Sequence, residues 1–96
     1  MPIAYETHDD APPDPTRIVD DGLGDANTSA APLADVVALT CFARDDAGAV
    51  IGGAVGRTWG QCCELQQLWV APPYRLQGIG AALVRRFEAR ARERGC

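Results

Sequence analysis

Lysine is absent from this sequence, histidine occurs once, at His8, and methionine once, at Met1. Without lysine there is no phosphate loop of the G-x-x-x-x-G-K-[ST] type, in which the lysine reaches the outer phosphates. The lone histidine is remote from four cysteines (Cys41, Cys62, Cys63 and Cys96) that form no C-x-x-C pair. That pattern argues against zinc, and no metal is expected. Long apolar runs are also missing: nothing approaches the roughly 18 uninterrupted residues of a membrane helix. The segment from Met1 to Asp14 has neither a basic start nor an apolar core, so it does not read as a secretory signal. Together these absences suggest a cytoplasmic protein with no membrane partner, its thiols reduced and mostly buried. The opposing reading is a reactive or cross-linking thiol, and Cys96 is its first candidate.

What is present is the composition of a globular domain, 47% hydrophobic and 23% charged. The chain is short enough to bury only a modest core. Its net charge of −4 is unevenly divided. Residues 1–60 carry ten acids against three arginines, for −7, and residues 61–96 carry three acids against six arginines, for +3. An acidic whole disfavours nucleic acid as a partner. A basic half suits an anionic ligand. Most of the acids need no partner beyond water.

Along the chain, Ile3-Ala4-Tyr5 reads as a short strand, and Asp9 to Pro15 is broken by prolines. Pro15 to Asp25 reads as a helix capped by Asp14, weakened by Gly22 and Gly24. Ala26 to Pro32 is a polar loop. Val36 to Ala43 and Val50 to Thr58 are rich in β-formers and flank the turn Asp45-Asp46-Ala47-Gly48, which makes an antiparallel hairpin. Gly52 and Gly53 inside the second strand indicate a bulge or a close backbone approach. A third strand runs from Cys62 to Val70. After a loop at Ala71 to Gln77 comes the helix Gly78 to Arg94, with an apolar stripe at Leu83, Phe87 and Ala91 and Gly95 as its stop.

The passage from the third strand into that helix carries the chemistry. Gly78-Ile79-Gly80 opens the helix, where bare amides and the positive dipole end suit a phosphate. A dinucleotide fingerprint would need a further glycine at position 83, which is Leu83. Read alone, the glycines could simply permit a tight strand-to-helix turn. Arg75, Gly78 and Gly80, however, fill every defined position of an R-x-x-G-x-G turn. They follow an antiparallel meander ending in Leu68-Trp69-Val70 and precede an amphipathic helix. In these features the chain resembles the GNAT N-acetyltransferase superfamily over about residues 33–96.

The resemblance implies an α/β domain of the α+β type, a mostly antiparallel β-meander followed by a long helix. It would be an incomplete acyl-CoA N-acyltransferase fold, lacking the family's last strand and helix. Residues 1–32 are then an acidic N-terminal segment with a short strand and helix, and residues 33–96 the acetyl-CoA-binding core. By resemblance, Leu68, Trp69 and Val70 face the pantetheine arm of acetyl-CoA. Arg75, Leu76, Gln77, Gly78, Ile79, Gly80 and Ala81 form the pyrophosphate cradle.

The activity implied is transfer of an acetyl group from acetyl-CoA to a primary amine. Such a transfer needs a group to accept the amine's proton and donors for the developing oxyanion. Glu64 lies six residues before Val70, where histone-acetylating members of the family place a glutamate base, and strand alternation would put it on one face with Gln66, Leu68 and Val70. It reads equally as a solvated glutamate near a strand start. Tyr74 reads as a surface aromatic in the loop. The alternative function is a catalytically incomplete CoA-binding or dimerising remnant, with a homodimer completing the fold.

Overall fold

The computed structural model describes residues 3–23 and 36–96. The elements are β1 (Ala4–His8), α1 (Pro13–Leu23), β2 (Val37–Arg44), β3 (Val50–Trp59), β4 (Cys62–Val70), a 3-10 turn at Pro72–Tyr74 and α2 (Ile79–Glu93). The four strands form one antiparallel sheet in chain order, β1-β2-β3-β4. One helix covers each face. Val19 of α1 packs with Phe42, Val50, Val55 and Trp69 on one side. Ile79, Leu83, Phe87 and Ala91 of α2 pack with Leu39, Cys41, Ala43, Ile51 and Ala54 on the other. The α+β architecture expected from the sequence is the one observed.

Local chemistry sets the connections. At the β2–β3 turn the Asp45 carboxylate accepts the amides of Ala47 and Ala49, both at 2.9 Å, and Gly48 supplies a positive φ of 86°. The β3–β4 loop is two residues, Gly60-Gln61, with Gly60 at φ 54°, the conformation such a hairpin needs at its first loop position. The helix expected at 15–25 instead begins at Pro13, and Thr16 N–H bonds Pro12 O at 3.1 Å. Asp14 therefore lies in the first turn rather than at the cap. Prolines are tolerated here because first-turn amides have no intrahelical acceptor. Gly22 stays helical: a Cβ there would fall 2.2 Å from the Trp69 ring, so its bareness admits the indole. The loop expected at Ala26 to Pro32 lies outside the described residues.

The close approach expected at Gly52 and Gly53 is realised. A Cβ at Gly53 would come within 2.5 Å of Val19, and one at Gly52 within 3.3 Å of Leu83. The β2–β3 register shifts beside them, with Ile51 as the extra residue. A second shift, in β4, lies between Leu65 and Gln67, where Gln66 has no partner on β3. There the bulged strand folds over Gly56. A Cβ on Gly56 would sit 2.1 Å from Glu64 O and 2.6 Å from the Phe87 ring.

The end of α2 is tied down twice. Gly95 (φ 94°) sends Cys96 N–H back to Ala91 O at 3.0 Å and its own N–H to Arg92 O at 2.9 Å, a Schellman closure. The Arg94 side chain donates to Thr58 Oγ1 (2.8 Å), Ala38 O (2.9 Å) and Val37 O (3.2 Å). Arg94 and Arg90 also share the Asp9 carboxylate, at 2.5 and 2.8 Å. The N-terminal segment is thereby fastened to the last helix across the sheet.

Two outcomes follow from these contacts. Gly56→Ala should destabilise the chain by about 2–3 kcal/mol, since neither a backbone carbonyl nor a packed ring yields readily. The check is a lowered urea midpoint at constant m-value, and an unchanged midpoint would mean that β4 and Phe87 can part. Hydrogen bonds from Arg90, then Arg94, hold the Asp9 carboxyl well below the usual carboxylate range. Its stabilising contribution is complete above the unfolded value of about 3.9 and is lost as pH falls below it. Asp9→Asn should lower Tm at neutral pH and flatten the acid limb below about pH 4. Limbs of equal depth in both proteins would remove Asp9 from the acid response.

Candidate functional site

Among the described residues β4 is an edge strand, bonded to β3 on one side only. Ala71 N–H donates to Ile51 O at 2.8 Å, which fixes the hydrogen-bonding phase. In an antiparallel pair the bonded positions alternate. Trp69 and Gln67 therefore direct their backbone groups toward β3, and Leu68 and Val70 direct theirs to the open edge. Of the three residues expected to face a pantetheine arm, Leu68 and Val70 present free-edge amides. Trp69 does not: its backbone serves the ladder and its indole packs with α1.

The strand ends in the turn that starts α2. Arg75 is exposed and its Nε donates to Val70 O at 2.8 Å, so the arginine is anchored to the strand end. Gln77 Nε2 reaches Pro73 O at 3.4 Å. Leu76 has φ 65° and is wholly exposed. A non-glycine residue in that region costs about 1–2 kcal/mol, strain of a kind that collects at ligand-binding turns. Gly78 caps α2 with φ 80° and no side-chain cap. After Arg75, whose amide bonds Pro72 O at 3.3 Å, the next amide to find a carbonyl is that of Ala82, bonded to Gly78 O at 3.0 Å. Helix geometry leaves the amides of Gly78, Ile79, Gly80 and Ala81 without intrahelical acceptors.

The two glycines fit an acyl-CoA pyrophosphate on steric grounds. A Cβ at Gly80 would meet only Val70 Cγ2, at 3.7 Å, so packing within the chain does not demand glycine there. What the missing side chain preserves is bare approach to the amide row. Gly78 is fixed by its backbone angle, since a Cβ on it would meet nothing within 4 Å. The side chain of Ile79 is buried in the core, so only its backbone is available to a ligand.

Glu64 differs from expectation. The extra residue Gln66 reverses the alternation, because Glu64 pairs with Arg57 and Leu65 with Gly56, whereas Gln67 pairs with Val55 and Leu68 with Ala54. Gly56 and Ala54 face α2. Glu64 therefore shares the α1 face with Gln67 and Trp69, not a face with Leu68 and Val70. Its carboxylate accepts from Arg57 Nε at 2.8 Å, and the Arg57 guanidinium lies 5.5 Å from the Trp59 ring centre. Arg57 was not singled out from the sequence, yet the two-residue Gly60-Gln61 loop fixes its pairing with Glu64.

The thiols also depart from expectation. Cys41 is buried, but Cys62 and Cys63 are exposed on the edge strand and Cys96 is half-buried. An edge strand has solvent where a central strand has neighbours. Among the described residues no three His, Cys, Asp or Glu side chains are grouped to hold a metal ion. No helix among them is long and apolar enough to cross a membrane.

Comparison with known proteins bears on this strand–turn–helix. A crystal structure from Agrobacterium tumefaciens, provisionally assigned as an acetyltransferase, is similar at 39% identity and a TM-score of 0.59, over 65% of this chain and 45% of that one. A structure from Klebsiella pneumoniae, provisionally assigned as an acyl-CoA N-acyltransferase, is similar at 26% identity and a TM-score of 0.70, over 96% of this chain and 66% of that one. The chain thus spans less than two thirds of either neighbour's length. No curated protein matches it. The description of the acetyltransferase (GNAT) family matches residues 4–96, reaching back through α1 and β1 beyond the core recognisable by eye. With that match, over the same sheet, turn and helix, the chain belongs to the GNAT acetyltransferase family.

Proposed function

We propose that this chain carries the acetyl-CoA-binding part of an N-acetyltransferase that moves the acetyl group to a primary amine of an acceptor. One observation carries the reading. The outward backbone groups of Leu68 and Val70 lead, through a turn anchored by Arg75, into the free amides of Gly78 to Ala81. An extended arm ending in a pyrophosphate matches that order: hydrogen bonds along a strand edge, then an anion site at a helix start.

In the reaction the amine nitrogen attacks the thioester carbonyl, the carbon–sulfur bond breaks, and the thiolate leaves. The open-edge amides of β4 are the donors this reading assigns to the developing oxyanion. The amine's proton needs an acceptor. Glu64 is the carboxylate of β4, on the α1 face just ahead of the bulge. Taking the proton would cost it the charge that Arg57 holds. That ion pair is also what favours the second reading, a CoA-binding remnant whose carboxylate serves structure.

Two variants separate these readings. Gly80→Asp should weaken acetyl-CoA binding tenfold or more in calorimetric titration, because a carboxylate then faces the pyrophosphate across the amide row. Equal affinity would sink the cradle. Glu64→Gln should leave that affinity in place and lower turnover by about a hundredfold or more, followed as free-thiol release with a panel of amines. An unaffected rate removes Glu64 from the chemistry, and intact binding without turnover in the parent chain favours the remnant.

A further inference from the structure

Three of the four thiols gather at one end of the sheet, away from the cradle. Ahead of the bulge β4 alternates regularly, with Cys63 opposite Thr58 and Leu65 opposite Gly56. Phe87 of α2 covers Gly56, and Arg94 at the end of α2 donates to Thr58. Cys63 is therefore on the α2 face, and Cys62 and Glu64 are on the other. Cys96 arrives on the α2 face from the helix end, held by its N–H bond to Ala91 O. Its Sγ lies 3.2 Å from Cys62 O and 4.0 Å from Gly60 O. The Cys62 carbonyl belongs to the peptide that leads into Cys63. Standard peptide dimensions place that oxygen about 2.8 Å from Cys63 Cα, so the Cys96 sulfur is within about 6 Å of Cys63 Cα.

We propose that Cys63 and Cys96 are a dithiol modification site that closes to an intramolecular disulfide with a small disulfide oxidant. Cys63 is exposed and Cys96 half-buried, so both can be reached. A Cys63 sulfur lies about 2.8 Å from its own Cα, so rotation of the two side chains toward each other closes most of that gap. Cys62 is closer in sequence to the contact, but its side chain leaves the strand on the opposite face. Cys41 lies in the core at 0% exposure, where burial pushes its thiol up, and it takes no part.

With oxidised glutathione the steps balance. The Cys63 thiolate attacks one sulfur, forming a mixed disulfide and expelling one glutathione thiolate. The Cys96 thiolate then attacks the Cys63 sulfur and expels the second. Two thiol protons go to the leaving thiolates or to water, and the oxidant takes two electrons. The closed ring spans residues 63–96. It would staple the start of β4 to the end of α2, enclosing the bulge, the open edge and the cradle turn. The proposal rests on the fold and does not depend on acetyl transfer.

The test treats the full chain with oxidised glutathione, alkylates the remaining thiols and weighs the intact protein. The expected product has lost two hydrogens and keeps two alkylatable thiols. Trypsin should release the segment 58–75 joined to residues 95–96. Cys62→Ser should keep this linkage, and Cys63→Ser and Cys96→Ser should each abolish it, all three folding with Tm values near that of the parent. The oxidised parent should melt several degrees higher and return to its original Tm with dithiothreitol. Loss of the linkage in Cys62→Ser, a glutathione adduct as the end state, or disulfide-joined dimers would each overturn the assignment.

Discussion

The side chain that Gly56 lacks leaves the space on which the rest of the molecule depends. Into it come the Glu64 carbonyl from one side and the Phe87 ring from the other, both closer than any Cβ allows. Phe87 anchors the buried stripe of α2, and burial of such a side chain is worth about 1.5–3 kcal/mol. The carbonyl belongs to a strand carrying one more residue than its partner, and that residue, Gln66, divides β4 into two phases. Below it Glu64 turns to the α1 face. Above it Leu68 and Val70 turn their backbone groups to the open edge. One close contact thus sets helix position and the phase of the edge beside the cradle relative to Glu64.

The charge pattern acquires a different meaning in three dimensions. The sequence divides into an acidic part and a basic part, which invites the idea of an arginine-rich surface for an anion. Much of that charge is consumed internally. Arg90 and Arg94 hold Asp9, Arg57 holds Glu64, and Arg44 pairs with Glu6. The N-terminal acids are clamps for arginines far along the chain. What remains at the turn is Arg75 and a set of amides whose partial charges come from the backbone. The proposed anion recognition is mainly a property of a helix start, with one side chain in support.

Much of the fold was legible because its elements carry strong local signals. Runs of β-formers mark β2 and β3, the stripe at Leu83, Phe87 and Ala91 marks α2, and Arg75, Gly78 and Gly80 mark the turn. The errors have physical causes. α1 starts two residues early because first-turn prolines lose no hydrogen bond. The cysteines of β4 are exposed because strand order, which propensity does not encode, makes β4 an edge. The orientation of Glu64 was hidden for a subtler reason. Leu65-Gln66-Gln67-Leu68 is apolar at both ends and polar in the middle, so it suits either phase, and only Gly56 on the neighbouring strand marks the bulge.

The two halves of the site differ in how they are built. The cradle and the edge rely on backbone groups, and their tolerances are steric: bare positions at 78 and 80, a strained Leu76, an unpaired strand. An open edge with Leu65 and Leu68 about two-fifths exposed is a liability for association. Under the proposed reading an extended ligand pairs with that edge, and the free amides at its end take the ligand's anionic terminus. The proposed catalytic half rests on one carboxylate already bound to an arginine. Binding can therefore survive changes that silence the chemistry. That order of dependence follows from construction, because backbone amides need only correct dihedral angles, whereas a base needs a charge it can afterwards give up.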